Sequence, residues 1–199
     1  MQDLLDLIVK SNDNDVILNL EFRLYCDPST GDYYKNNVDK TTFVNNVYNI
    51  IKKNKYEKKV ILSSLDWSIF PIIHDLDSHI NLGAKWQITA GEDVGIGNLW
   101  YTKEECSPWL NGNNIHELGD EVISIAFALG CKYIYPEKGT ATFAHITQAH
   151  DWEMKVIPWS LNTQEDMQAA WDLAVDGMVQ EWAMLRCRNN FYILEKNLF

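Results

Sequence analysis

Apolar residues at strand spacing alternate with apolar residues at helical spacing along most of this sequence. The pattern predicts strands over residues 16–24, 58–65, 84–89, 132–137, 154–162 and 177–182. It predicts helices over 2–10, 40–54, 68–77, 115–129, 140–152 and 163–174. The terminal segment FYILEKNLF is interpreted as one more packed helix. Such alternating βα units indicate a parallel sheet with right-handed crossovers.

The number of strands bears on the choice between two α/β architectures. The 199 residues suffice for one domain with a full core, and about six strands fit an open doubly wound sheet without difficulty. A (β/α)8 barrel has eight strands and typically about 250 residues. Periodicity alone therefore slightly favours the open sheet.

The first predicted strand, VILNLEFRL, has an apolar face and a charged face. Because alternate side chains of a strand point to opposite faces, the apolar face consists of Leu18, Leu20, Phe22 and Leu24. The other face consists of Asn19, Glu21 and Arg23. A carboxylate and a guanidinium at this spacing form either a local ion pair on a solvated sheet surface or the floor of a polar site.

Composition and charge narrow the classes of function. The apolar fraction of 46% and charged fraction of 23% are those of an ordinary globular protein. A formal net charge of −11 argues against a nucleic-acid partner, although it leaves room for a small anionic substrate. There is no apolar run long enough for a transmembrane segment and no basic-then-apolar leader, so the expected location is the cytoplasm.

Several weaker signals carry little functional information. The four cysteines lack CxxC spacing and are interpreted as reduced thiols. The five histidines lie in no motif with metal-ligand spacing and are interpreted as structural or surface residues. The long segment 90–113 contains several aromatic residues; it either shapes a substrate pocket or is a loop held by its own aromatics.

Four short motifs occur in order, each at the carboxyl end of a predicted strand or directly after it. They are LNLEFR (18–23), SSLDW (63–67), PWSLNTQEDM (158–167) and DGMV (176–179). Together they resemble the glycerophosphodiester phosphodiesterase family, whose domain is a (β/α)8 TIM barrel. The resemblance covers nearly the whole chain but only about the last three quarters of the family domain.

The family's upstream motifs, a His-Arg-Gly motif, a Glu-x-Asp pair and a second histidine, are absent from this sequence. The resemblance therefore implies that residues 1–199 form a partial, TIM-barrel-like domain lacking the first two βα units. Such a barrel would expose strand edges, which predicts self-association through the open edge.

The resemblance also implies roles for individual residues. Glu21 takes the place of a ligand to a divalent cation, Mg²⁺ or Ca²⁺, which a single carboxylate would hold weakly or not at all. Arg23 stands where the family usually has a lysine that reaches the substrate phosphate. Trp159 stands where the family has a tryptophan that lines the substrate pocket; the alternative is that Trp159 is an ordinary core aromatic. Gln180 and Glu181 depart from the family's Thr-Asp.

Three hypotheses follow. The first is a phosphoric diester hydrolase of lipid metabolism, acting on glycerophosphodiesters or related lysophospholipid-type diesters, with this chain inactive alone because the histidine pair and Glu-x-Asp are absent. The second is a non-catalytic, truncated relative that binds a phosphate-bearing ligand or a partner protein. The third is an unrelated open-sheet domain, whose ligand would bind at a topological switch point rather than near Glu21.

Overall fold

The computed structural model describes residues 16–23, 39–86, 121–180 and 192–194, and the single positions 6 and 112. The strands of this part of the chain are β1 (Leu18–Phe22), β2 (Val60–Ser64), β3 (Asn81–Trp86), β4 (Cys131–Pro136), β5 (Lys155–Val156), β6 (Met178–Gln180) and β7 (Tyr192–Leu194). Its α-helices are α1 (Lys40–Lys53), α2 (Phe70–Leu76), α3 (Val122–Ala128), α4 (Phe143–Asp151) and α5 (Gln164–Asp172). Short 3₁₀ turns, Glu57–Lys59 and Trp67–Ile69, flank β2.

The strands follow one another in chain order around a ring. β1 to β5 form a parallel sheet in sequential order, and β6 pairs in parallel with β7. The two sheets are joined because the Leu161 N–H donates to the Val179 carbonyl at 2.8 Å and the Val179 N–H donates to the Pro158 carbonyl at 2.9 Å. β7 in turn lies beside β1.

Sequential order identifies a barrel rather than a doubly wound sheet, in which the strand order reverses at a switch point. The open sheet that periodicity favoured is therefore wrong, and the TIM-barrel-like fold is confirmed. It is incomplete in the described residues, which supply seven strands where a (β/α)8 barrel has eight. Because β7 lies beside β1, the last described strand neighbours the first. Self-association through an open barrel edge stays a prediction.

Each strand separates an outer core beneath the helices from an inner cluster inside the ring. Leu62, Ile134 and Val156 belong to the outer core, whereas their chain neighbours Ile61, Tyr135 and Ile157 belong to the inner cluster. This alternation follows from the two-residue period of a strand. The apolar face predicted for β1 lies outward as expected, with Leu18, Leu20 and Phe22 in or against the outer core; Leu24 lies outside the described residues.

The segment SSLDW braces the ends of three strands. The Ser64 hydroxyl donates to the Phe22 carbonyl at 2.8 Å and accepts from the Asp66 N–H at 2.9 Å. The Trp67 indole N–H donates to the Lys85 carbonyl at 2.8 Å, and the Trp67 side chain is completely buried. The motif thus ties β2 to β1 on one side and to β3 on the other.

Capping side chains mark the starts of three helices. Asp39 caps α1 by accepting from the Thr42 N–H, and Thr142 and His145 form a capping box at α4. For α5, either Asn162 or Thr163 is the expected cap, and Thr163 fills that role by accepting from the Asp166 N–H.

Three predicted elements need correction. The terminal segment FYILEKNLF contains the strand Tyr192–Leu194 rather than a helix, because its aromatic and β-branched residues pair with β6. The strand placed at 84–89 begins at Asn81. The strand placed at 154–162 ends at Val156, followed by Pro158, which has no N–H for a ladder.

Some predicted elements fall on residues that the structure does not describe. The helix at 2–10 lies outside the described residues except for Asp6, which is helical, and the segment 90–113 lies outside except for Gly112. Among the described helices, none combines the length and the apolar character that a membrane span requires.

Candidate functional site

Two cationic side chains converge on one carboxylate on the inner face of the ring. Lys85 Nζ, on β3, lies 2.8 Å from Glu21 Oε2, on β1. Arg23 Nε lies 3.2 Å from Glu21 Oε1, and Arg23 Nη2 donates to Glu21 Oε2 at 3.3 Å. By formal charge, these three side chains sum to +1 within a protein whose formal net charge is −11.

An aromatic ring completes this cluster. Lys85 Nζ lies 4.6 Å from the centroid of the Trp159 ring, within the range of a cation–π interaction. The Trp159 indole N–H donates to the Tyr135 carbonyl at 2.7 Å, which fixes the ring relative to β4. Carboxylate, guanidinium, ammonium and indole therefore form one connected group, which we call the Glu21 cluster.

Exposure falls steeply from the outer to the inner member of the Glu21 cluster. The Arg23 side chain is 45% exposed, that of Glu21 is 12% exposed and that of Lys85 is 1% exposed. An incoming solute therefore meets the guanidinium first, while the ammonium lies underneath. A buried ammonium needs an anionic or hydrogen-bonding partner, and Glu21 is the anionic partner of Lys85.

Gly83 makes room for the side chains beneath the Glu21 cluster. It lies in register with Ser63, which is in register with Glu21. A Cβ added at Gly83 would come within 2.5 Å of the Tyr135 ring and 3.2 Å of the Ser63 Cβ. The absent side chain is therefore what allows the Tyr135 ring to pack inside the ring of strands.

The structure brings together all three residues singled out from the sequence. Glu21, Arg23 and Trp159 lie in one cluster, and Lys85, which sequence reasoning missed, joins them. A signal for Lys85 was present, since the predicted strand AKWQIT contains one charged residue, just as the predicted strand VILNLEFRL contains a charged pair. Nothing in the local pattern, however, indicates that the two charges meet.

Other residues considered from the sequence have structural roles. Gln180 is buried and donates to the sulfur of Met167 at 3.3 Å, so it packs against α5; Glu181 lies outside the described residues. Cys131 is a buried free thiol whose pKa is raised by burial.

Three of the described histidines contact groups outside the Glu21 cluster. His145 caps α4 and packs edge-on against Trp86, with ring centroids 6.2 Å apart. His150 Nε2 lies 2.9 Å from Asp176 Oδ2, and His79 lies near Asp77. No catalytic role is assigned to them.

Asp176, from the DGMV motif, fastens the start of β5. It accepts from Lys155 Nζ at 2.7 Å, from the Val156 N–H at 2.8 Å, and faces His150. Burial acts to raise the pKa of Asp176, but the hydrogen bonds from Lys155, Val156 and His150 outweigh it and hold this pKa below its ordinary value.

The described residues do not fit a divalent cation. No group of three or more His, Cys, Asp or Glu side chains in this part of the chain could hold a metal ion. Both oxygens of Glu21, the expected ligand, already face cationic partners. Mg²⁺ and Ca²⁺ need several oxygen ligands, and two adjacent cations would repel either ion. The metal-ligand role of Glu21 stays a prediction that these contacts do not favour.

The fold and site define a class, namely an incomplete parallel α/β barrel with a charged cluster at the carboxyl ends of its strands. The sequence matches no protein-family model and no curated protein. Solved structures nevertheless match it in fold. A protein of Silicibacter pomeroyi DSS-3, provisionally named a glycerophosphoryl diester phosphodiesterase, superposes with a TM-score of 0.68 at 18% identity, over 90% of this chain and 52% of that chain.

Two further solved structures have the same fold. A glycerophosphodiester phosphodiesterase of Parabacteroides distasonis matches with a TM-score of 0.58 at 9% identity, over 88% of this chain and 58% of that chain. An Oleispira antarctica phosphodiesterase, in complex with the product sn-glycerol-3-phosphate, matches with a TM-score of 0.56 at 12% identity, over 89% of this chain and 55% of that chain.

The comparison confirms the resemblance in fold that the four motifs indicated. This chain spans only slightly more than half the length of the structures it matches. At these identities the likeness establishes the phosphodiesterase-like fold, and activity is a separate question.

Proposed function

We propose that this chain binds a phosphate-bearing ligand of the glycerophosphodiester type at the Glu21 cluster. The observation that supports this most directly is the convergence of Arg23 and Lys85 on Glu21 beneath the Trp159 ring. The cluster lies at the carboxyl ends of parallel barrel strands, where barrel enzymes bind their substrates.

Arg23 is the proposed phosphate contact. Its guanidinium is the most exposed member of the Glu21 cluster, and a guanidinium can donate two parallel hydrogen bonds to phosphate oxygens. Because Lys85 also neutralises Glu21, Arg23 can turn toward a ligand without leaving that carboxylate unpaired. This role agrees with the phosphate-reaching position that the sequence resemblance gives to Arg23.

Trp159 is the proposed wall for the organic part of the ligand. Its indole N–H is already bonded to the Tyr135 carbonyl, so the ring is held in a fixed orientation. A rigid aromatic face provides apolar contact at low entropic cost. A glycerol moiety or a small head group is of a size that such a ring can cover.

Hydrolysis is not expected from these residues alone. The family chemistry calls for a divalent cation that polarises the phosphate and for histidines as general acid and base. This sequence has neither the His-Arg-Gly motif nor a Glu-x-Asp pair, and the contacts of Glu21 do not favour a metal. We therefore propose binding without turnover for the 199-residue chain.

The test is calorimetric titration of the chain with sn-glycerol 3-phosphate. Arg23→Ala should weaken binding about 10- to 100-fold, since a hydrogen bond to a charged group contributes about 1.5–3 kcal/mol. Lys53→Ala is the matched control, because it removes one exposed cation at the far end of α1, and it should leave the affinity unchanged.

Two results would contradict the proposal. Equal affinity of Arg23→Ala and the unaltered chain would place the ligand elsewhere. Turnover of glycerophosphocholine by the purified chain would show that hydrolysis does not need the absent motifs.

A further inference from the structure

We propose that the Lys85 ammonium is the fixed cation of this site, standing where a divalent metal ion would bind Glu21, and that phosphate binding is therefore independent of metal. The inference rests on the proposed function for its ligand, but its claim about Glu21 and metal ions can be tested without any ligand.

The first support is the position of the Lys85 ammonium. Its Nζ lies 2.8 Å from Glu21 Oε2, and its side chain is 1% exposed. A metal ion coordinated by Glu21 would have to displace this ammonium or bind beside it. Displacement would take the Lys85 ammonium away from Glu21 while its side chain lies almost entirely out of contact with water, and separating a buried ion pair is costly.

The second support is that Lys85 is held at both ends. Its backbone carbonyl accepts the indole N–H of Trp67 at 2.8 Å, and Trp67 is itself fully buried. Its ammonium lies 4.6 Å from the centroid of the Trp159 ring. The ion pair with Glu21 and the contact with the Trp159 ring both favour the observed position of the ammonium over one that would admit an ion.

The third support is the charge of the site. One carboxylate with two cations leaves a charge of +1 next to a partly exposed guanidinium. That is complementary to a phosphate mono- or dianion with no additional ion. By contrast, a divalent cation beside Glu21 would be repelled by the positive charges of Lys85 and Arg23, which contact the same carboxylate.

The first experiment measures cation binding to the chain without ligand. Titration with CaCl₂ or MgCl₂ should show no saturable binding below millimolar concentration, and Glu21→Gln should behave like the unaltered chain. Saturable binding of either ion that is lost in Glu21→Gln would overturn the inference, whatever the outcome with a phosphate ligand.

The second experiment repeats the sn-glycerol 3-phosphate titration in EDTA and in excess Mg²⁺ or Ca²⁺. The dissociation constants should agree within twofold. Affinity that disappears in EDTA would overturn this inference while leaving the proposed function standing. Absence of affinity under all conditions would instead overturn the proposed function, and the ligand-free cation titration would then decide this inference.

A pair of variants tests the residue itself. Lys85→Met keeps the length of the side chain but removes the charge, and should weaken binding at least tenfold in the presence of either ion. Lys53→Met is the matched control and should not change the affinity. Should Lys85→Met fail to fold, Glu21→Gln/Lys85→Met removes both charges of the pair and should restore folding without restoring affinity. Full affinity of either Lys85 variant would overturn the inference.

Discussion

At the scale of single residues, the Glu21 cluster shows that one carboxylate can be shared by an exposed and a buried cation. Arg23 contacts Glu21 from the solvent side and Lys85 from the interior. The exposed pair is expected to stabilise the fold little, because surface ion pairs contribute at most about 1 kcal/mol. The buried pair matters more, because removal of either partner leaves a charge in a poorly solvated position.

The space beneath the cluster depends on Gly83. Gly83→Ala should lower the free energy of unfolding by about 1–3 kcal/mol, because its Cβ would lie 2.5 Å from the Tyr135 ring and overpack the inner cluster. The measurement is urea denaturation. Gly177→Ala is the matched control, since its Cβ would meet Ile157 at an ordinary 3.5 Å. Equal stability of the two variants would mean that the Tyr135 ring moves aside without cost.

At the scale of elements, β2 ends with two adjacent serines that have different roles. Ser64 connects the Phe22 carbonyl to the Asp66 N–H. Ser63 is fully buried on the inner side, and its hydroxyl has no hydrogen-bond partner among the described residues. The motif SSLDW therefore acts as a strand brace through its second serine, its aspartate and its tryptophan.

This difference predicts opposite effects of one substitution at neighbouring positions. Ser64→Ala should lower the free energy of unfolding by about 1–3 kcal/mol, because it leaves a buried carbonyl and a buried N–H without a side-chain partner. Ser63→Ala should be neutral or slightly stabilising, because it removes a buried hydroxyl with no described partner. Thermal denaturation of both variants provides the comparison. A larger loss for Ser63→Ala would contradict this account of the motif.

At the scale of the whole molecule, the ring of strands is held at its two ends by different polar groups. The carboxyl ends carry the Glu21 cluster. The start of β5 is fastened by Asp176, which joins the residues just before β6 to β5 and faces His150 of α4. The proposed ligand site and the Asp176 contacts are therefore on separate parts of the ring.

The depressed pKa of Asp176 gives the stability of the fold a pH dependence. Because the folded pKa is lower than the unfolded value of about 3.9, the ionised carboxylate stabilises the fold above that value. The contribution is lost as the pH falls from there through the folded pKa. Asp176→Asn should lower the free energy of unfolding by about 1–3 kcal/mol at neutral pH, and the difference should shrink below about pH 4.

Denaturation of the Asp176→Asn variant at about four pH values between pH 3 and pH 7 measures this dependence. Asp151→Asn, at the exposed end of α4, is the control and should change stability by less than about 0.5 kcal/mol at every pH. A constant difference between Asp176→Asn and the unaltered chain across this range would contradict the assigned role of the carboxylate.

By itself the sequence determined the local features of this protein. The two-residue period placed Leu18, Leu20 and Phe22 on the helix-covered side of β1, and the cap signal at Asn162 or Thr163 located the start of α5. These features depend on neighbours a few residues apart, so the pattern of side chains encodes them directly. The four ordered motifs also indicated the barrel, where strand counting alone favoured an open sheet.

The tertiary structure decided what depends on distant parts of the chain. Lys85 and Glu21 are 64 residues apart, and no local period links them, so only the parallel register of β1, β2 and β3 brings their charges together. The segment Tyr192–Leu194 likewise becomes a strand through pairing with β6. The sequence alone showed that Glu21 places a charge in β1. Only the fold showed which cations contact Glu21, and those contacts are the basis for proposing an anion site without metal.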